Sequence, residues 1–290
     1  MKLARFTVDG HTAIGVVLGD SVVALSSVLP DAPSTLREVL AAGPPLRQRI
    51  VAALPLAPAG HALADVHLEA PIPDASKYLA IGMNYQDHAE EARRAGLSIP
   101  KTQLWFNKQV SCIHGPFDPV LIPRVSEKVD YEIELGVVIG RRCRYVAESE
   151  AHAVVGGYFV ANDVSARDWQ QASPTFTLGK SFDTHGPIGP WIVTPDEVAD
   201  PHALEMRLFV NGELRQRQRT GNMIYTIWQQ IHHLSQVMTL EPGDLIATGT
   251  CAGVGIASAR FLQHGDVVRA EIDAIGHIEN RFISEPAVRG

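Results

Sequence analysis

The chain has 290 residues, enough for one large domain or for a small domain joined to a larger one, and its 46% hydrophobic content is sufficient for a real core. A net charge of −7 and an isoelectric point near 5.9 argue against nucleic acid or an anionic membrane as a partner. Cys112, Cys143 and Cys251 form no Cys-x-x-Cys pair, the N-terminus lacks the apolar core of a signal peptide, and no apolar run is long enough to cross a bilayer, so a reducing, cytoplasmic setting is expected.

In chain order, residues 3–8, 13–18 and 21–25 read as short strands separated by Asp-Gly and Gly-Asp turns. A helix is predicted over 35–54, with Ser34 as its N-cap after Pro33. Proline and glycine then punctuate 57–60 and 71–73. A boundary near 70–75 divides the chain into a small N-terminal α+β domain (1–72) and a larger second domain (73–290). Beyond it, strands are predicted at 78–81, 103–106, 131–139, 156–160, 188–193, 206–210, 245–248 and 267–275. Short helices are predicted at 86–95, 149–155 and 166–171. A longer one spans 223–240, where Ile227, Ile231, Leu234 and Val237 recur at helical spacing. Strands do not alternate regularly with helices. A doubly wound parallel sheet is therefore disfavoured, and a mixed, largely antiparallel, β-rich α+β fold with short helices is expected.

Three carboxylates carry the most chemical information. Glu132 and Glu134 lie two apart in the run Asp-Tyr-Glu-Ile-Glu-Leu-Gly (130–136), and Asp163 follows an apolar strand-like stretch. On a strand of period two, Glu132 and Glu134 project together. Two acids so close repel each other, and a hard divalent cation resolves the repulsion. A solvent-facing strand edge is the other reading of the same spacing. Asp130 shares their parity and is open as a fourth ligand, an acceptor behind the ligands, or an exposed acid.

Further along, His88 and Glu91 are spaced i, i+3 on a predicted helix, where a carboxylate can orient an imidazole as a general base. An incidental pair on an exposed helix has the same spacing. Arg167 and Gln170 lie i, i+3 directly after Asp163, and an arginine there can clamp a substrate carboxylate or be simple surface charge. Lys180, in Gly-Lys-Ser, stands out in a lysine-poor chain, although a plain loop cation reads the same way. The run 243–255 is a strand entering a glycine-rich loop. Such a loop can present N–H groups to anions, but it matches neither a P-loop nor a dinucleotide fingerprint. His232 and His233, adjacent on a helix, do not share a face and read as structural.

Taken in order, five segments resemble the fumarylacetoacetate hydrolase family. They are Ile-Gly-Met-Asn-Tyr-Gln-Asp-His-Ala-Glu-Glu (81–91), Asp-Tyr-Glu-Ile-Glu-Leu-Gly-Val-Val-Ile-Gly (130–140), Asn-Asp-Val-Ser-Ala-Arg-Asp-Trp-Gln (162–170), Gly-Lys-Ser-Phe-Asp-Thr-His-Gly-Pro-Ile-Gly-Pro (179–190) and Pro-Gly-Asp-Leu-Ile-Ala-Thr-Gly-Thr (242–250). The resemblance covers about 77–282. It implies a rolled, mixed β-structure built as a homodimer and preceded by a small N-terminal domain. It implies Glu132, Glu134 and Asp163 as ligands of Mg²⁺, with Mn²⁺ or Ca²⁺ tolerated. His88 and Glu91 become the catalytic dyad, on a lid that orders over substrate, and Lys180 the lysine beside the metal. Arg167, Gln170, Gly249 and Thr250 become substrate contacts. Two departures flank the expected pocket: Gln109 follows Lys108, and Cys251 follows Thr250, where relatives have proline. Both bear on substrate identity more than on chemistry.

The implied activity is hydrolysis of a C–C bond in an acylpyruvate-like 2,4-dioxo acid. The substrate's carboxylate and 2-oxo oxygen would chelate the metal, His88 would activate water, and the metal with Lys180 would receive the charge of a pyruvate enolate. Decarboxylation of oxaloacetate-type acids, isomerisation or decarboxylation of hydroxymuconate-type diacids, and metal-dependent binding without catalysis are the alternatives. A role in aromatic or sugar acid catabolism fits any of the enzymatic readings. Arg93, Arg94 and the loop 173–177 are candidate contacts for the distal group.

Overall fold

The computed structural model describes residues 1–94 and 99–286. Its main sheet has twelve strands among the described residues. The path runs His61–Ala62, Ser21–Ala24, His11–Leu18, Lys2–Val8, Gly186–Val193, Val155–Asn162, Ile133–Ile139, Leu245–Ala247, Tyr78–Gly82 and Leu104–Lys108, with His67–Glu69 and Ile113–His114 paired off it. A second sheet orders Glu213–Arg219, Glu205–Val210, Val267–Ile272, Gly276–Ser284 and Val120–Ile122. Pairing is antiparallel except at the junctions of Leu245–Ala247 with Tyr78–Gly82, Ile113–His114 with Gly186–Val193, and Val120–Ile122 with Gly276–Ser284. The mixed, largely antiparallel class expected from the sequence is the one observed. The N-terminal strands continue the main sheet, because Lys2 and Leu3 pair with Val193 and Ile192.

All seven residues of Ile133–Ile139 are buried, so this strand has no solvent face. Ile133, Leu135, Val137 and Ile139 pack into one core with Met206, Leu208, Val268, Ile272, Ile231 and Leu234. Val138, on the other face, joins a second core with Phe159, Ile188, Leu245 and the N-terminal helical residues Leu36, Val39, Leu40 and Ile50. Burial on both faces is the environment in which acids are costly without partners.

The structure corrects several element boundaries. The first long helix is Leu36–Ala53, and its N-cap is Thr35, not Ser34: Thr35 and Glu38 form a capping box. It is broken at Gly43, whose φ of 65° precedes Pro44 and Pro45. The predicted helix 149–155 is a 3₁₀ segment, Glu148–Val154, and Val155 opens a strand. The predicted 223–240 helix shortens to Ile227–Val237, because Thr226 and Gln229 cap it. The helix carrying His88 is Gln86–Arg94; Ala95, the last residue of the predicted span, lies outside the described residues. Strand Ile133–Ile139 starts after Glu132, not at 131. The strands Glu213–Arg219 and Gly276–Ser284 were not predicted.

Candidate active site

Ile133–Ile139 and Val155–Asn162 run antiparallel with Ile133 opposite Asn162 and Glu134 opposite Ala161. This register carries Glu132 and Glu134 up to Asp163. The Asp163 amide donates to the Glu132 carbonyl at 2.9 Å, and the Glu132 amide donates to Asn162 Oδ1 at 3.0 Å. One carboxylate oxygen from each of Glu132, Glu134 and Asp163 lies within 4.8 Å of the others. Their exposures of 5%, 1% and 0% rule out the solvent-edge reading.

Cations meet these acids from three directions. Lys180 Nζ donates to Glu132 Oε2 at 2.8 Å and to Asp163 Oδ2 at 2.7 Å. Arg167 Nη1 lies 2.7 Å from Glu132 Oε1. Lys108 Nζ donates to Asp163 Oδ1 at 2.6 Å and also to the carbonyls of Val164 and Lys180. Lys108 was missed as a site residue. The signal was present, since a lysine ending the apolar strand Leu-Trp-Phe-Asn-Lys in a lysine-poor chain is the argument that singled out Lys180.

The charges on the acids follow from these partners. Burial pushes the Glu132 carboxyl up, but Lys180 and Arg167 outweigh it and hold the group down at about 2. Glu134 forms no direct ion pair with a lysine or arginine among the described residues. Burial, then Asp163 and Glu132, raise its carboxyl well above the usual range, and the charge of Lys180 and the Gly249 amide donating to its Oε2 at 2.6 Å oppose them only in part. Three converging carboxylates, one without a direct ion-pair partner among the described residues, fit a hard divalent ion that prefers oxygen ligands.

Asp130 is not a ligand. It is fully buried, with Arg167 Nε at 2.8 Å from its Oδ2 and the amides of Tyr131, Gly255 and Ile256 donating to its two oxygens. The glycine-rich loop does present N–H groups to anions, as its composition suggested, but the anions belong to the chain. Gly249 serves Glu134, Gly253 serves Glu91 at 3.2 Å, and Gly255 serves Asp130 at 2.6 Å. Gly253 needs to be glycine, because its φ is +101° and a Cβ would sit 2.1 Å from the Arg215 carbonyl oxygen.

His88 Nδ1 and Glu91 Oε2 are 3.2 Å apart on one face of their helix, as the spacing predicts. The imidazole is close enough to the acids to act on the Glu132 carboxyl electrostatically. Glu91 is held at its other oxygen by the Gly253 amide, so the loop that supports Glu134 also supports the dyad.

The expected substrate contacts are largely occupied by neighbours. Arg167 uses Nε on Asp130 and Nη1 on Glu132 and Gln170; its buried Nη2 has no partner among the described residues. Gln170 Oε1 accepts from Arg167 at 2.9 Å. Thr250 Oγ1 donates to the Ile133 carbonyl and accepts from Gln216. Arg93 pairs with Glu90 at 2.7 Å, and Phe176 packs edge-on against Phe106. Cys251 is buried and its thiol is pushed up by burial to about 12, which suits packing and not nucleophilic attack.

This is the architecture of a carboxylate-lined cation centre on a mixed β scaffold, with an acid–base pair beside it. The chain belongs to the fumarylacetoacetate hydrolase family: the family model described as fumarylacetoacetate (FAA) hydrolase C-terminal matches residues 77–283. It is 44% identical over 223 residues to a mitochondrial oxaloacetate tautomerase of Bos taurus, covering 76% of this chain and 70% of that one. Among solved structures it resembles maleylpyruvate hydrolase from Sphingobium sp. SYK-6 in complex with manganese(II) and pyruvate, with a TM-score of 0.85, 35% identity and coverage of 99% of this chain and 100% of that one. It also resembles 2-hydroxyhepta-2,4-diene-1,7-dioate isomerase from Mycobacterium marinum, with a TM-score of 0.78, 33% identity and coverage of 99% and 100%.

Proposed function

We propose that this enzyme hydrolyses a C–C bond in an acylpyruvate-like 2,4-dioxo acid, releasing pyruvate and a carboxylic acid. The observation that supports this most is the convergence of Glu132, Glu134 and Asp163, buried and within 4.8 Å, with Lys180 on two of them and the His88–Glu91 pair alongside. A divalent cation held by the three carboxylates, Mg²⁺ in our reading with Mn²⁺ or Ca²⁺ accepted, supplies Lewis-acid stabilisation of the charge that develops on a 2-oxo acid.

The chain's own residues do the rest. Arg167 Nη2, buried and without a partner among the described residues, is the donor for a substrate oxygen. Gln170 fixes that guanidinium, and Gly249 and Thr250 are further substrate contacts in our reading. His88 takes a proton from the attacking water, and Glu91 holds the imidazole in the tautomer that can do so. Lys180 Nζ stands where negative charge appears when the C–C bond breaks.

Decarboxylation of an oxaloacetate-like acid, or isomerisation or decarboxylation of a hydroxymuconate-like diacid, uses the same centre without an attacking water. The tautomerase and isomerase relatives favour keeping these readings. A binding protein without catalysis has no need of a positioned acid–base pair. We further propose a homodimer, a small N-terminal unit over 1–72, and a place in aromatic or sugar acid catabolism. The test is a panel of 2,4-dioxo acids and oxaloacetate assayed with Mg²⁺ or Mn²⁺. Pyruvate with a stoichiometric carboxylic acid supports the hydrolase. Pyruvate with CO₂ supports the decarboxylase, and turnover of neither overturns the proposal.

A further inference from the structure

The helix Gln86–Arg94 carries the dyad, yet it buries only two alanines, Ala89 and Ala92. Two buried methyl groups remove little apolar surface from water, so apolar packing holds this helix weakly. Its N-terminal lead is fixed through Asn84, which exchanges hydrogen bonds with Tyr225 and donates to the Thr248 carbonyl. Within the helix, two polar side-chain tethers reach other elements. One is Glu91 to the Gly253 amide. The other is Asp87, whose Oδ2 accepts from Gln218 Nε2 at 2.7 Å while its Oδ1 accepts from the backbone amide of His88 at 2.8 Å.

The carboxylate of Asp87 thus links Gln218 directly to the peptide unit of His88. Gln218 is itself aimed. Its Oε1 accepts from Asn222 Nδ2 at 2.6 Å and from the Arg219 amide at 2.9 Å, which assigns its NH₂ end to Asp87. It lies on Glu213–Arg219, opposite Met206 in the antiparallel pair with Glu205–Val210. That strand also holds the site from another side, since Gln216 Oε1 accepts from the Ile133 amide beside Glu132.

We propose that Gln218 is a positioning residue for the catalytic base: acting through Asp87, it sets the height and orientation of His88 over the carboxylate centre. This deepens the function proposed above and rests on it for the role of His88. Gln218 touches neither the acids nor Lys180, so its removal leaves the cation centre intact. The bond it makes to a carboxylate belongs to the stronger class of hydrogen bonds, and its loss corresponds to roughly a tenfold or larger shift in the docking equilibrium of the helix.

The test compares the full-length Gln218→Ala and Gln218→Glu proteins with wild type by hydrogen exchange of amides 88–92, Mn²⁺ titration and steady-state kinetics on the 2,4-dioxo acid panel. Exchange in the helix rises about tenfold in Gln218→Ala and further in Gln218→Glu, where two carboxylates face each other. In both variants kcat falls by about the same factor, while the Mn²⁺ affinity stays within about twofold of wild type. Asp87→Ala shows the same exchange change, and the Asp87→Ala/Gln218→Ala double variant adds little to it. Unchanged exchange and kcat in Gln218→Ala overturn the proposal, as does a parallel loss of Mn²⁺ binding, which would mark a general structural role. If His88→Ala keeps full activity while Gln218→Ala frees the helix, the function of His88 is what fails, not the tether.

Discussion

Lys108→Met is the perturbation whose size follows most directly from the structure. Lys108 Nζ is buried and bonded to Asp163 Oδ1, to the Val164 carbonyl and to the Lys180 carbonyl, so methionine fills the space but removes a charge and three donor contacts. Breaking a buried ion pair by deleting one partner costs about 3–5 kcal/mol. Asp163 keeps Lys180 at 2.7 Å, which places this case near the lower end, about 3 kcal/mol. An unfolding entropy of roughly 2.1 cal/mol/K per residue gives about 0.6 kcal/mol/K for 290 residues, so the melting temperature falls by about 5 °C. Calorimetry of the chelator-treated protein reads this directly. In an Asp163→Asn background the same substitution costs about 1–2 kcal/mol less, because the charge it served is gone. A melting temperature within about 1 °C of wild type would refute the idea that Lys108 carries a counter-charge for Asp163.

Other outcomes follow from the same geometry. His88→Ala abolishes hydrolysis while leaving Mn²⁺ binding in place, which kinetics and metal titration check together. Gly253→Ala forces a Cβ to 2.1 Å from the Arg215 carbonyl at a φ of +101°, and lowers both the melting temperature and kcat as the amide leaves Glu91. His185 is fully buried, and burial lowers its pKa from 6.5 to about 3, so the unfolded chain binds more protons between these values. Stability is therefore complete above the unfolded value and declines as pH falls through that window, by up to about 1.4 kcal/mol per pH unit from this group. Denaturant midpoints at acid and neutral pH should differ less in His185→Gln than in wild type, and an unchanged difference would remove His185 from the account.

The elements that sequence could place are those whose side chains follow one period. The apolar runs around Glu134 and before Asp163 predicted two central strands, and the i, i+3 spacing of His88 and Glu91 predicted their contact. Glu213–Arg219 was illegible because its sequence, Glu-Leu-Arg-Gln-Arg-Gln-Arg, is polar but for one leucine: the residue it buries is Gln216, and Leu214 faces solvent. Asp130 could not be assigned by parity, since its role depends on Arg167, Gly255 and Ile256, which only the tertiary fold brings near. The glycine-rich loop showed in its composition that it could hold anions, but not that they would be Glu134, Glu91 and Asp130. The position of Lys108 at the end of an apolar strand marks it as unusual, but its partner Asp163 lies 55 residues away; Gln218 meets Asp87 across 131 residues, and no local pattern marks such pairings.

The proposed C–C cleavage requires a divalent-cation centre at Glu132, Glu134 and Asp163. Its most direct test is to strip the protein with chelator, titrate Mn²⁺ into wild type and Glu132→Gln, and follow pyruvate release from a 2,4-dioxo acid across the titration. One ion per chain in wild type, with pyruvate release rising in step and both lost in Glu132→Gln, is the predicted result. Full pyruvate release from the stripped protein, or undiminished release by Glu132→Gln, would contradict it.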